Sequence, residues 1–398
     1  MSDDTVQKSK DKAANAPHPE DPRKPDAPTD MTKPSWKYIF KRAISEFSKD
    51  KVTDLAAALT YFAVLSVFPA LLALVSLLGV VGQGEQTASA INGWLSDFAP
   101  EDVQKLLAPT IENLTTQTGA GLALVVGIAG ALWTASGYTG AFGRAMNRIH
   151  EVEEGRAFWK LKPIMLLLTL VMLIIVAVII FAVALSGGIA AEAGNLIGLG
   201  DTAVTVWNIA KWPVVIGLAV LLIALLYYFT PNVEQPKFRW ISVGSLVALV
   251  VSAIAVAAFV FYLSNFASYN ATYGVIGSVI SLLLGIWIVN NVLLLGAEID
   301  AEVERGRELQ AGIEAEETVQ LPLRDTHGVE KQEKKQQKLV DEGIELREQH
   351  AEEDYDDRSD SEKEHDAGDQ PGNLGYKDRS SRGTGDDGPR RGGATSAR

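Results

Sequence analysis

Six stretches of this chain are each about as long as the oily layer of a bilayer is thick, and none carries a charge in its interior. They cover residues 55–82, 119–143, 163–190, 212–230, 240–265 and 273–297. A hydrocarbon layer about 30 Å thick is crossed by about 20 helical residues rising 1.5 Å each. One Asp, Lys or Arg at the centre of such a span would cost about 2.5–3.5 kcal/mol. The expected fold is all-α: a polytopic membrane protein with six transmembrane helices, an N-terminal interfacial helix, two short external helices and disordered tails.

The remaining residues divide around these spans. Residues 1–33, rich in Lys, Asp, Pro and Ala and without apolar periodicity, read as a disordered N-terminal tail with no cleavable signal peptide. In 34–53, Trp36, Ile39, Phe40, Ala43, Ile44 and Phe47 share one helical face opposite Lys and Arg. That pattern suits an interfacial helix or one packed on the bundle's inner end. Residues 54–305 form the six-span domain. Between spans one and two, residues 83–118 hold two short amphipathic helices split at Pro100. Residues 306–398 form an acidic, mostly disordered tail, with a short charged helix around 329–350. Of the net charge of −13, −10 falls in 301–398, where 26 acidic residues face 16 basic ones.

Orientation follows from Lys and Arg in the connections. Lys33, Lys37, Lys41, Arg42, Lys49 and Lys51 precede span one, but only Lys105 lies between spans one and two. Arg144, Arg148, Arg156, Lys160 and Lys162 follow span two, Lys211 alone follows span three, and Lys237 and Arg239 follow span four. The alternation places the chain in a cell inner (plasma) membrane with both termini cytoplasmic.

Several chemistries are poorly supplied. There is no cysteine, and of the five histidines only His150 lies between the polar ends. Neither a metal site nor a cofactor is expected. The acidic balance argues against a nucleic-acid partner. Polar residues within or beside the spans are better candidates. Span one offers Tyr61, Ser66 and Pro69, span two Trp133 and Ser136, and span six Asn290 and Asn291. Tyr269 and Tyr273 stand at the outer entrance of span six, while Asn147 and Glu298 stand at the inner ends. Tyr61, Ser66, Pro69, Trp133, Ser136, Asn147, Tyr269, Tyr273, Asn291 and Glu298 form the candidate cavity or gate, bordered by spans one, two and six. Interhelical hydrogen bonds and salt bridges closing the inner end are the plainer reading of the same residues. Small residues recurring every fourth position, such as Gly244, Ala248 and Ser252, point to close helix packing.

Five segments in series carry a resemblance. They are AAALTYFAVLSVFPALLALVSLLG (56–79), LWTASGYTGAFGRAMNRIHEV (132–152), LLYYFTPNVEQPKFRW (225–240), FYLSNFASYNATYGVIGSVISLLL (261–284) and LLLGAEIDAEV (293–303). Together they resemble the YihY/virulence factor BrkB family over about residues 35–305. The match carries over to Tyr61, Ser66, Pro69, Trp133, Ser136 and Asn147, to Tyr227, Pro231 and Asn232, and to Tyr262, Tyr269, Tyr273 and Gly274. It ends with Gly296, Ala297 and Glu298. The chain departs at 242–245, where SVGS replaces the usual Pro-Gly-Ala, and at 285–291, where GIWIVNN replaces an aromatic-rich stretch. The resemblance implies a six-span inner-membrane protein. Members formerly carried the label ribonuclease BN, which the absence of clustered metal ligands and of a basic surface does not support here.

The function expected is that of a non-enzymatic permease, or a lipid or ion transport protein. Its partners would be the bilayer and a small solute, ion or lipid. The alternative is a non-transporting scaffold or envelope-integrity factor, with a protein partner for the acidic tail.

Overall fold

The structure, a computed structural model, describes residues 3–80, 93, 120–185, 201–236, 242–266 and 270–356. These hold nine α-helices: α1 (Asp3–Asn15), α2 (Lys33–Lys49), α3 (Val52–Val80), α4 (Ala120–Ile149), α5 (Phe158–Ala184), α6 (Asp201–Phe229), α7 (Val243–Phe266), α8 (Asn270–Gln310) and α9 (His327–Asp356). The described residues contain no strand beyond one isolated bridge, Val233 to Leu323, so the fold is all-α.

Among the described residues, four helical segments are long and apolar enough to cross a membrane: Phe158–Val183, Thr202–Phe229, Val243–Leu263 and Val279–Gln310. α3 and α4 cover the two other apolar runs with 29 and 30 residues. The segment expected to form two external helices, within 83–118, lies outside the described residues apart from Gly93.

The apolar side chains settle which solvent this bundle needs. Phe181 on α5 and Ile209 on α6 are 65% and 69% exposed, and Leu167, Ile254 and Phe261 also point outward. So many exposed aliphatic and aromatic side chains suit hydrocarbon rather than water. The buried core is narrower. Val52, Leu59, Phe142, Met146, Leu226, Leu294 and Ala297 meet where α3, α4, α6 and α8 converge.

Two helices extend beyond the expected spans. Pro163 and Pro213 lie inside α5 and α6, not at their starts. α6 begins at Asp201, so Trp207 and Lys211 belong to a helix, not to a loop. The Trp207 indole N–H donates to the Leu185 carbonyl at the end of α5 (2.7 Å), satisfying one of the carbonyls a helix end leaves open. α8, with 41 residues, is about 60 Å long at 1.5 Å per residue. Its apolar part ends at Ala297 and a charged extension continues to Gln310.

α2 forms where the sequence places it, capped by the Thr32 side chain and opened by Pro34. It buries Ile39, Ala43 and Glu46, with α8 as its neighbour, and leaves Phe40 and Ile44 exposed.

The tails differ most from the sequence expectation. Residues 3–31, expected to be disordered, carry α1 and bury Ser9, Lys12 and Lys24. Lys12 Nζ donates to the His150 carbonyl (2.7 Å). Lys24 Nζ pairs with Glu304 (2.8 Å) and Glu308 (3.2 Å). Composition misses this docking because it is made by ion pairs and backbone acceptors, while the disorder argument counts apolar surface. Residues 313–325, also expected to be unstructured, cross the ends of the helices. Val319, Leu321 and Leu323 join Val152, Val233 and Val329 in a second small core. From Lys335 onward the chain forms a separate unit. It continues α9 as a charged helix to Asp356, exposed over 335–349, and 357–398 lie outside the described residues.

Candidate functional site at the polar end of the bundle

Within the apolar bundle the polar side chains are matched to one another. Asn290 on α8 is buried between α3 and α4: its Oδ1 accepts from the Tyr138 hydroxyl (2.9 Å), and its Nδ2 donates to Thr60 Oγ1 (3.2 Å). Thr139 on α4 and Thr169 on α5 share a hydrogen bond of 2.7 Å. The Tyr227 hydroxyl of α6 donates to the Leu293 carbonyl of α8. A buried polar group left without a partner costs about 1–3 kcal/mol, so these pairs fix how the helices meet.

α7 and α8 cross at two glycines. A Cβ on Gly296 would fall 2.5 Å from the Tyr227 hydroxyl and 2.6 Å from the Gly244 carbonyl. One turn on, the Asp300 carboxylate accepts from the Gly244 amide (2.6 Å) and the Ser242 hydroxyl. It thereby caps the N-terminus of α7, where an anion is favoured. The SVGS segment supplies both donors to this cap.

The turn after α6 is tied down from three sides. Asn147 Oδ1 accepts from the buried Asn232 amide (2.7 Å), and Asn147 Nδ2 donates to Glu154 (3.0 Å). Arg156 Nη2 donates to the Thr230 carbonyl (2.6 Å) and Arg324 Nη2 to the Tyr228 carbonyl (2.6 Å). Asn232 Nδ2 reaches the carbonyls of Glu153 and Asp325, both at 3.0 Å. Gly155 lets the 313–325 segment pass: a Cβ there would sit 1.6 Å from the Asp325 carbonyl.

Between these two features lies a cavity of about 330 Å³. Its wall combines Met146, Ala224 and Leu246 with Tyr227, His150, Asp300 and Arg307, and Ala27 of the N-terminal segment lines it too. Burial holds the His150 imidazole down at about 4, against a weaker opposing hydrogen bond with the Met146 carbonyl. Burial also pushes the nearby Asp50 carboxyl up to about 6, with Arg148 pulling the other way. Lys12 is lowered to about 8, again chiefly by burial. Among the described residues no group of His, Asp and Glu could hold a metal ion.

The candidate residues from the sequence scatter over these features. Tyr61 and Trp133 are 60% and 59% exposed, and Lys162 Nζ lies 4.2 Å above the Trp133 ring. Ser66 Oγ donates to the Phe62 carbonyl of its own helix (2.7 Å). Buried Ser136 donates to the Trp133 carbonyl and accepts from Lys162, both at 2.6 Å. Asn291 bonds within its own helix, to the Trp287 carbonyl (2.8 Å); its neighbour Asn290 makes the interhelical contacts. Asn147 anchors the turn, and Glu298 is buried at 1% exposure. Pro69 and Tyr273 lie on α3 and α8, but their side chains fall outside the description, and Tyr269 lies outside the described residues altogether. Sequence reasoning did not single out Tyr227 and Asp300 as cavity residues. Tyr227 entered the sequence reading only through the family resemblance, and Asp300 stood two residues beyond the one acid, Glu298, taken into the cavity or gate set.

The profile of the family described as virulence factor BrkB matches residues 43–319. This chain belongs to that family. The BrkB match runs from the middle of α2 into the second small core, so it takes in the α7–α8 crossing and the anchored turn. A ribonuclease-like protein of Bacillus subtilis, YfkH, is 29% identical over 275 residues, which are 68% of this chain and 97% of the relative. A UPF0761 membrane protein of Ralstonia nicotianae is 28% identical over 67% of this chain and 59% of its own length. Another, from Mannheimia succiniciproducens, is 23% identical over 69% of this chain and 93% of the relative. No solved structure matches the chain. The UPF0761 relatives are named as membrane proteins without an activity, and the protein is a membrane protein of a BrkB family whose molecular activity is uncharacterised.

Proposed function

We propose that this protein is a non-enzymatic permease of the inner (plasma) membrane that moves a small solute, ion or lipid. In this reading α3 and α4 join the four apolar helices to give six spans, and both termini face the cytoplasm. α2 lies at the cytoplasmic surface with Phe40 and Ile44 toward lipid. One observation carries the reading: the cavity at the polar end, where ionisable His150, Asp300, Glu304 and Arg307 stand among mostly apolar side chains. A concave, mostly apolar pocket with a few convergent polar groups is the usual form of a small-molecule site. The cavity would serve as the inner vestibule. The test is flux of ions, small solutes and labelled lipids in proteoliposomes, against lipid alone. Ala224→Trp, which fills the cavity, should cut that flux at least tenfold. No flux for any of the three classes sinks the reading.

A scaffold role has its own support in the exposed helix beyond Lys335, where Leu339, Val340, Ile344 and Leu346 lie open among charges. Deleting 335–398 separates the two: a scaffold loses its bound partner, whereas a permease keeps its flux. Purified protein should leave RNA intact with or without divalent metal; cleavage lost with the metal would overturn the non-enzymatic reading.

A further inference from the structure

Glu298 is the first residue after the apolar part of α8 and is 1% exposed. Its Oε1 is buried with no hydrogen-bond partner. The charged groups acting on it are Asp50 between α2 and α3, Glu46 on α2, and Glu302 and Arg305 on α8. The neighbouring cations are already taken. Arg305 donates to Glu302 (3.0 Å), to the Ala315 carbonyl (2.9 Å) and to Glu151 (3.5 Å). Arg42 and Lys49 pair with Glu46, both at 2.9 Å, and Arg148 lies 3.8 Å from Asp50. Glu302 Oε2 and Arg42 Nε are also buried without partners. Those two carry opposite charges and act on each other, and each residue already has an ion-pair partner through its other atoms. The one cation that acts on Glu298, Arg305, is committed to Glu302, the Ala315 carbonyl and Glu151.

A lone carboxylate in this position would combine the cost of dehydration with repulsion from three other acids. Binding a proton removes both costs. A metal ion would need several carboxylates converging, and no such group exists among the described residues. We infer that Glu298 is a proton-binding site, a neutral carboxylic acid at the polar end of α8. It exchanges its proton with water by way of Asp50, whose side chain reaches solvent. Loss of the proton leaves a carboxylate facing Asp50, Glu46 and Glu302, and the repulsion loosens the contact of α8 with α2 and α3. Proton binding at this end is thereby tied to the packing of the longest helix. The site is independent of what the cavity carries.

Infrared difference spectroscopy between acidic and alkaline buffer, on the full chain in nanodiscs, tests this without any cargo. At neutral pH the protein should show a protonated-carboxyl carbonyl band that bleaches only in alkaline buffer. Glu298→Gln should lose that band and keep the parent's thermal midpoint, because glutamine reproduces a neutral carboxyl; Glu302→Gln should retain the band. If the parent shows no carboxyl band titrating above the ordinary carboxylate range, the inference fails without recourse to any variant. It also fails if Glu298→Gln lowers the midpoint at neutral pH while the band persists. A sodium- or potassium-dependent midpoint that disappears in Glu298→Gln would make the occupant a metal cation and overturn the assignment.

Discussion

In His150 and Asp50 burial is the largest cause of the shift, and it acts with opposite signs. His150 lies at the end of α4, held neutral at about 4. Its folded value is below the ordinary 6.5 of histidine, so the stability it contributes is present above 6.5 and is lost as the pH falls toward 4. Asp50 is raised to about 6. Its contribution is present below 3.8 and is lost as the pH rises through 6. Taking the protein from about pH 7 to about pH 5 should therefore cost about 2 kcal/mol at His150 and return about 1 kcal/mol at Asp50. Thermal midpoints in detergent should fall less on acidification for His150→Gln than for the parent, and more for Asp50→Asn. Equal slopes in all three proteins would show that neither group titrates as its burial requires. The same scale shows what one sequence leaves open. Asn290 and Asn291 are adjacent and chemically identical, and a quarter turn of helix decides that Asn290 meets Thr60 and Tyr138 while Asn291 bonds within α8.

The elements were legible to different degrees. The apolar runs marked α5, α6, α7 and the apolar part of α8, because a charge-free stretch of that length has few other uses. Their rotation about their own axes was not legible. A helix that is apolar all round has no stripe to say which side faces its neighbours. Backbone approach settles it for α7 and α8. Gly244 of the small-residue stripe does mark a contact, opposite Gly296 of the GAE segment. Gly296→Ala would place a methyl group 2.5 Å from the Tyr227 hydroxyl, where the helices must separate or Tyr227 must leave the Leu293 carbonyl. The expected cost is about 1–3 kcal/mol, read as a lower thermal midpoint in detergent. An additional Tyr227→Phe exchange should recover part of it by removing the clashing oxygen. A Gly296→Ala protein with the parent's midpoint would contradict this crossing.

For the molecule as a whole, the proposed topology makes a direct prediction. The chain contains no cysteine, so a single introduced thiol reports one position. Cysteines at exposed Ala13 and Glu345 should react with a membrane-impermeant reagent only after the cell envelope is opened, and one at exposed Gly93 should react in intact cells. Labelling of either tail in intact cells would reverse the orientation and place the cavity on the outer side. The sequence by itself determined the medium and the class of fold: charge-free runs of bilayer length form helices in oil whatever they pack against, because the bilayer leaves their backbone polar groups no partner but one another. It also carried the family, since the motifs lie in order along one chain. Only the tertiary structure decided that the N-terminal segment and residues 313–325 are part of the folded body. Their hold rests on buried Lys24 meeting two glutamates and on Gly155 admitting the Asp325 carbonyl. Those contacts join residues far apart in the chain, and neither composition nor periodicity registers a pair until the fold has brought its members together.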